Sequence, residues 1–280
     1  MTANDMSTVE YPLMGDAGCR VGCPQPIPHE CAGDSAHYTA SLRPYIAEVQ
    51  RALRRHASPE KAALLQRFFR TGPGEYGEGD RFIGVMVPAV RQVARAAREL
   101  ALPQVAALLE SPIHEERLLA LLVVVGQFER AGAPERQALY DFYLSHTARI
   151  NNWDLVDVTA PKVVGEHLLG RSRAPLRRLA RSANLWERRI AIVSTGAFIR
   201  RHQFEDTLRI AAMLLRDKHD LIHKAVGWML REVGKRDMAC LEGFLRRHCR
   251  AMPRTMLRYA IERFPEARRR AYLAGTPPSE

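Results

Sequence analysis

The sequence lacks any apolar run long enough to cross a bilayer. Its longest such run, Leu118 to Val125, is well short of the ~18 residues that a transmembrane helix needs. The first 30 residues also contain no basic segment followed by an apolar one, which is the pattern of a secretory signal. We therefore expect a cytoplasmic protein that does not enter a membrane.

Cysteine is scarce, with five residues in a chain of 280. Cys240 and Cys249 fall in helical patterns and are expected to stay reduced. The other three lie among prolines and glycines near the N-terminus, beside two histidines, in a spacing that matches no familiar zinc pattern: Cys19, Cys23, Cys31, His29 and His37. We interpret residues 1–40 as a flexible extension that is dispensable for folding, and we expect neither a metal nor a cofactor.

Strand-like alternation of polar and apolar residues is also missing, whereas helical periodicity runs from residue 41 to the C-terminus. Prolines mark many helix starts; Ser58 before Pro59, for example, predicts an N-cap followed by proline at the first helical position. Helix pairs recur every 30–40 residues, near the period of HEAT repeats. The pattern predicts an all-α, HEAT-like solenoid over residues 41–280 with a concave basic groove, and a globular helical bundle is the alternative.

Charge is unbalanced, since 42 Lys and Arg residues face 31 Asp and Glu residues, for a net charge of +11. Most of the excess comes from arginine, whose planar guanidinium suits phosphate. A basic protein favours an anionic partner, either nucleic acid or a membrane surface. A general arginine bias of the source genome would explain the same composition.

A tryptophan and a carboxylate share one helix face in the segment that starts at Asn151. Asn152 is a good N-cap, and Trp153 and Asp157 are four residues apart, whereas Asp154 points elsewhere. An aromatic face beside a carboxylate suits a cationic ring. The same spacing also fits a core tryptophan and a carboxylate with an ordinary structural partner.

Basic residues accompany two further tryptophans. Trp186 is expected to pack inward, with Arg188 and Arg189 pointing to different sides, and Gly227 beside Trp228 permits a close approach to the helix. A helix start with Arg and Thr near the C-terminus suits a phosphate contact. The candidate DNA-binding residues are Arg188, Lys224, Arg231, Lys235, Arg254, Thr255 and Arg258.

Five segments in this order resemble the AlkD family of DNA alkylation repair glycosylases, over about residues 43–273. They are Gly84-Val85-Met86-Val87-Pro88-Ala89-Val90-Arg91, His114-Glu115-Glu116-Arg117, Asn152-Trp153-Asp154-Leu155-Val156-Asp157, Trp186-Glu187-Arg188-Arg189 and Lys224-Ala225-Val226-Gly227-Trp228. The resemblance implies a HEAT-like solenoid that cradles duplex DNA and excises 3-methyladenine and 7-methylguanine. No family pattern covers the loop from Gly72 to Asp80.

The resemblance also implies roles for individual residues. Asp157 matches the catalytic carboxylate, Trp153 and Trp228 match the aromatic residues at the lesion, and Arg189 matches the active-site arginine, with Arg188 as the competing candidate. Alkylation at N3 or N7 makes the purine cationic and a good leaving group, so one carboxylate can suffice. We expect a monomer acting on double-stranded DNA; a non-catalytic HEAT-repeat scaffold or DNA-binding relative is the alternative.

Overall fold

A computed structural model describes the backbone of residues 35–276 and the side chains of residues 45–276. Contacts divide the chain into residues 1–40 and residues 41–280, and the second unit carries all the candidate site residues. The first helix begins at Ser35, six residues before the predicted boundary. The predicted flexible extension and its three cysteines otherwise lie outside the described residues.

Of the residues that the structure describes, 68% are helical, as the sequence predicts. The helices are α1 Ser35–Arg54, α2 Pro59–Phe68, α3 Val87–Ala96, α4 Leu102–Leu109, α5 His114–Arg130, α6 Ala133–Ser145, α7 Trp153–Ala160, α8 Glu166–Leu168, α9 Ala174–Leu179, α10 Leu185–Val193, α11 Gly196–Ile199, α12 Glu205–Met213, α13 Asp220–Gly234, α14 Met238–His248, α15 Arg254–Ala260 and α16 Glu266–Ala274. A π-helical turn, Pro161–Gly165, joins α7 to α8. Residues 35–276 contain no strand, only an isolated bridge between Arg81 and Ile113.

Several of the predicted helix starts are confirmed. Ser58 accepts a hydrogen bond from the Lys61 N–H and Pro59 opens α2, while Asn152 caps α7 by accepting from the Trp153 N–H at 2.8 Å. Prolines 103, 134 and 175 each lie in the first turn of a helix, where the missing N–H breaks no helical hydrogen bond. N-cap residues and prolines therefore set where these helices begin.

The helices are arranged in successive pairs, and the first helix of each pair packs against the first helix of the next pair. Starting at α3, the contacts run to α5, α7, α10, α13 and α15 in turn, and from α5 onward these helices start roughly 30 to 40 residues apart, near the period of helical repeats. Side chains that project from α7, α10, α13 and α15 therefore come from neighbouring helices of one layer.

The core of the array is the middle of α5, residues 118–125, which is apolar around its whole circumference. Every residue from Leu118 to Val125 is at most 8% exposed, so the longest apolar run of the sequence is a buried helix. Within the described residues, no helix combines the length and hydrophobicity that crossing a membrane requires.

The apolar face of α2 is only partly covered. Leu64 and Phe68 on α2 follow helical spacing, yet they are 53% and 43% exposed, and only Phe69 beyond the helix end is buried. The physical reason is that α2 buries none of its residues against the described part of the chain. Periodicity identifies an apolar face of a helix but not whether another element covers it.

Candidate active site

The centre of the site is an ion pair between neighbouring helices. Asp157 on α7 and Arg189 on α10 face each other in a bidentate arrangement, with Nε to Oδ1 and Nη2 to Oδ2 distances of 2.8 Å each. The Arg189 Nη1 also donates to the Leu221 carbonyl at 2.6 Å, at the start of α13. One arginine thus links α7, α10 and the start of α13.

The pair is shielded from water, with side-chain exposures of 15% for Asp157 and 6% for Arg189. Burial raises the pKa of the Asp157 carboxyl above its ordinary value, and the Arg189 guanidinium opposes this shift. The geometry makes Arg189 rather than Arg188 the partner of the carboxylate.

Arg188 points the other way, as its position in the helix predicts. Its Nε lies 2.6 Å from Asp217 Oδ2, and its Nη1 donates to the carbonyls of Ser182 and Ala183 at 3.0 and 2.8 Å. The side chain is 18% exposed. These bonds hold Arg188 through its Nε and Nη1 atoms, so a structural role explains it better than a phosphate contact.

Trp153 heads a column of stacked rings that we call the aromatic column. Its indole stacks on Phe69 at a centroid distance of 5.1 Å, Phe69 on Phe82 at 4.9 Å, and Phe82 on His114 at 4.5 Å. Phe69 thus covers one face of the indole, and Phe68 packs against the same ring edge-on at a centroid distance of 5.9 Å. Only the remaining part of the indole can meet a ligand. Trp153 is half-buried, between the alternatives of a core residue and a free aromatic surface.

A buried ion cluster holds the start of α7 in place. The His114 Nε2 lies 2.8 Å from Asp154 Oδ2 and its Nδ1 lies 3.0 Å from Asp80 Oδ2, while Arg117 pairs with Asp80 at 2.6 Å. Burial alone would lower the pKa of His114, but the two carboxylates outweigh it and raise that pKa to about 9. Asp154 therefore points away from the Trp153 face, and its contact with His114 gives it a structural role.

The neighbouring Glu115 explains another segment of the family pattern. Its carboxylate accepts backbone N–H bonds from Ile83, Gly84 and Val85 at 2.8–3.2 Å. Gly84 has φ +80°, and a Cβ there would lie 2.1 Å from the Ser58 carbonyl oxygen, so only glycine fits. Two segments that are distant in sequence thus form one structural unit.

The remaining candidates lie on α13 and α15. Trp228 is half-buried against the core, and the adjacent Gly227 admits α15: a Cβ at this position would lie 2.5 Å from the Met256 carbonyl oxygen. The close approach that Gly227 allows is therefore to a packed helix of the chain itself.

Most of the candidate cations already have carboxylate partners. Lys224 lies 2.8 Å from Asp220, Lys235 lies 2.8 Å from Glu232, and Arg231 pairs with Glu262. Arg254 donates instead to the Leu273 carbonyl, and Arg258 is exposed and forms no ion pair within the described residues. The uncharged candidate Thr255 hydrogen-bonds with Asp220. The basic surface is thus partly neutralised.

Sequence reasoning missed one residue of the site. Tyr76, in the loop for which no pattern was available, accepts a hydrogen bond from Trp153 Nε1 at 3.3 Å and meets Trp186 edge-on at 6.2 Å. A tyrosine between glycines is the only signal in the sequence, and it is too weak to predict a contact across 77 positions.

The described residues offer no group of three or more His, Cys, Asp and Glu side chains that could hold a metal ion. Stacked helix pairs with a buried carboxylate–arginine pair and two half-buried tryptophans, on α7 and α13, define a helical-repeat protein with one candidate site. The chain belongs to the DNA alkylation repair enzyme family, which matches residues 49–264.

Solved structures agree with the fold. A protein described as a predicted DNA alkylation repair enzyme from Enterococcus faecalis superposes with a TM-score of 0.59 at 16% identity, covering 75% of this chain and 98% of that one. AlkD2 from Streptococcus mutans gives a TM-score of 0.49 at 17% identity, covering 80% and 99% of the two chains. No curated protein sequence matches this chain. The likeness to the Enterococcus structure supports the all-helical fold of the family.

Proposed function

We propose that the protein is a monomeric DNA glycosylase that hydrolyses the N-glycosidic bond of cationic alkylated purines, such as 3-methyladenine and 7-methylguanine, in duplex DNA. The observation that carries the proposal is the bidentate Asp157–Arg189 pair one helical turn from Trp153. In a family of DNA alkylation repair enzymes, a buried carboxylate beside an aromatic ring is where a cationic base is best bound.

The reaction needs charge stabilisation more than proton transfer. An N3- or N7-alkylated purine leaves as a neutral base, so its departure requires no strong acid, while positive charge grows on the sugar. A fixed carboxylate stabilises that charge and can orient the attacking water. Arg189 holds both oxygens of Asp157 in place, so the carboxylate does not need to reorganise during the reaction.

Aromatic residues supply the recognition. The uncovered face or edge of Trp153 can meet a cationic purine, because a tryptophan ring attracts positive charge. Trp228 on α13 is the second aromatic contact in this proposal. Selectivity then follows from charge: a neutral base gains little from these rings and remains a poor leaving group.

Phosphate binding falls mainly to side chains at the surface. Arg258 and Arg254 are exposed on α15 and Lys224 is 41% exposed on α13. Lys224, Arg231 and Lys235 would each have to exchange a carboxylate for a phosphate, which lessens their net contribution. Binding is therefore expected to rest on few contacts and to weaken with salt.

A non-catalytic DNA-binding relative is the second candidate, and one observation favours it. Both oxygens of Asp157 already accept from Arg189, as they would in a purely structural ion pair. The two candidates differ in whether base is released.

The test is release of free base from methylated duplex DNA by the purified protein, measured by chromatography, with spontaneous depurination subtracted. The proposal predicts release of 7-methylguanine and 3-methyladenine above background, decreasing as the pH falls through the raised pKa of Asp157. Tight DNA binding with release equal to background at every pH would favour the non-catalytic alternative.

A further inference from the structure

The loop of residues 71–80 is fixed at both ends although it has no regular structure. The Gln66 amide donates to the Asp80 carbonyl at 2.7 Å, and its oxygen accepts from the Phe82 N–H at 3.2 Å. The Asp80 side chain is bound in turn by Arg117 at 2.6 Å. At the start of the loop, the Thr71 hydroxyl donates to the Gln66 carbonyl at 3.1 Å. Residues of α2 and α5 thus set where the loop begins and ends.

The inside of the loop is also tightly bonded. The Glu75 and Glu78 carboxylates accept the N–H groups of Gly72 and Gly74 at 3.0 and 2.9 Å. Gly77 packs so closely on the preceding helix end that a Cβ would lie 2.4 Å from the Phe69 carbonyl oxygen. Tyr76 lies between these bonded and closely packed residues, so its ring is held in a defined place.

That place is among the helices of the site. Tyr76 receives the Trp153 Nε1–H from α7 at 3.3 Å, meets Trp186 of α10 edge-on, and lies within electrostatic range of Lys224 on α13. Its ring is half-buried. A phenol hydroxyl therefore stands beside the indole that the proposed function assigns to the lesion.

The Tyr76 hydroxyl is available as a hydrogen-bond donor. Because the indole N–H donates to the phenol oxygen, the O–H must find another acceptor, and the Phe68 carbonyl lies 3.5 Å away, at the limit for such a bond. Burial raises the pKa of Tyr76 above its ordinary value, so the group is a neutral donor at physiological pH.

We propose that Tyr76 is a substrate-binding residue, whose hydroxyl donates a hydrogen bond to an oxygen or nitrogen acceptor of the damaged nucleotide and thereby favours damaged over undamaged DNA. The inference rests on the proposed function for the identity of the nucleotide. It assigns to the loop the task of presenting a polar group to a site that otherwise consists of aromatic rings and one ion pair.

The test measures the DNA affinity, not the base release, of the variant Tyr76→Phe, which removes only the hydroxyl. Two probes are used: a duplex with 2′-fluoro-7-methylguanosine, which resists hydrolysis, and a duplex with a tetrahydrofuran abasic analogue. Each affinity is divided by that for the undamaged duplex. Tyr45→Phe, an exposed tyrosine on α1, is the matched control, and melting temperatures verify folding.

We expect Tyr76→Phe to reduce the preference for damaged DNA about three- to tenfold, the contribution of one neutral hydrogen bond, with Tyr45→Phe equal to the parent. Loss with the methylated probe alone places the acceptor on the base, and loss with both places it on the sugar–phosphate. An unchanged preference, or a parent protein with no preference, overturns the inference. A parent that prefers the methylated duplex but releases no base refutes the proposed glycosylase activity and leaves the role of Tyr76 standing.

Discussion

Raising the pH should deprotonate His114 and so weaken the buried ion cluster that it forms with Asp80 and Asp154. His114 has a pKa of about 9 in the folded protein against 6.5 for its ordinary value, so the folded state binds its proton more tightly than the unfolded state. The stabilisation is fully present below pH 6.5 and is lost as the pH rises through about 9. A difference of ~2.5 pKa units corresponds to about 3 kcal/mol, and solvent does not screen it because the imidazole is 2% exposed.

The assay is urea unfolding of the parent and of His114→Asn at pH 6.5, 8 and 9.5. The variant leaves Asp154 without its charged partner and Asp80 with Arg117 alone, so it should be less stable at pH 6.5. Other groups that titrate in this range affect both proteins alike, so the difference between the two free energies of unfolding isolates His114. It should shrink by about 3 kcal/mol up to pH 9.5. A difference that is constant, or that grows with pH, would refute a charged His114.

Two further changes test packing and charge. Gly227→Ala should cost about 1–3 kcal/mol in urea unfolding, since its Cβ meets a backbone carbonyl of α15; Gly243→Ala in α14 has open space around it and should be neutral or stabilising. Arg258→Gln should lower the slope of log affinity for undamaged duplex against log salt by about 0.9. Arg209→Gln, which removes an exposed cation of α12 paired with Glu205, should leave the slope unchanged; equal slopes for Arg258→Gln and the parent would exclude a phosphate contact.

Local sequence signals predicted the elements and much of the site. Prolines and N-caps mark helix starts because their effect is confined to one turn. The helical positions of Arg188 and Arg189 predicted that the two side chains diverge, and the structure adds that Arg189 is the one that meets Asp157. These features depend on residues a few positions apart or on a repeated pattern.

Long-range features could not be predicted in the same way. His114, Asp80 and Asp154 form one cluster from three separate segments, and no periodicity links them. Asp154→Asn would have been a natural control for a substitution at Asp157, since it points away from Trp153; the contact with His114 makes it a destabilising change. Exposed Asp141 on α6, bonded only to Gln137 among the described residues, is the better control.

The measurement that tests the central claim most directly is single-turnover release of 7-methylguanine by Asp157→Asn. The substitution keeps size and removes charge, and it leaves Arg189 without its partner, so melting temperature and affinity for undamaged duplex are measured alongside to show that the protein is folded. After subtraction of spontaneous depurination, the account predicts a rate lower by about 10²-fold, or about 2.7 kcal/mol of transition-state stabilisation. DNA affinity should barely fall, and Asp141→Asn should match the parent. Release by folded Asp157→Asn at the parental rate would show that this carboxylate does not carry the reaction.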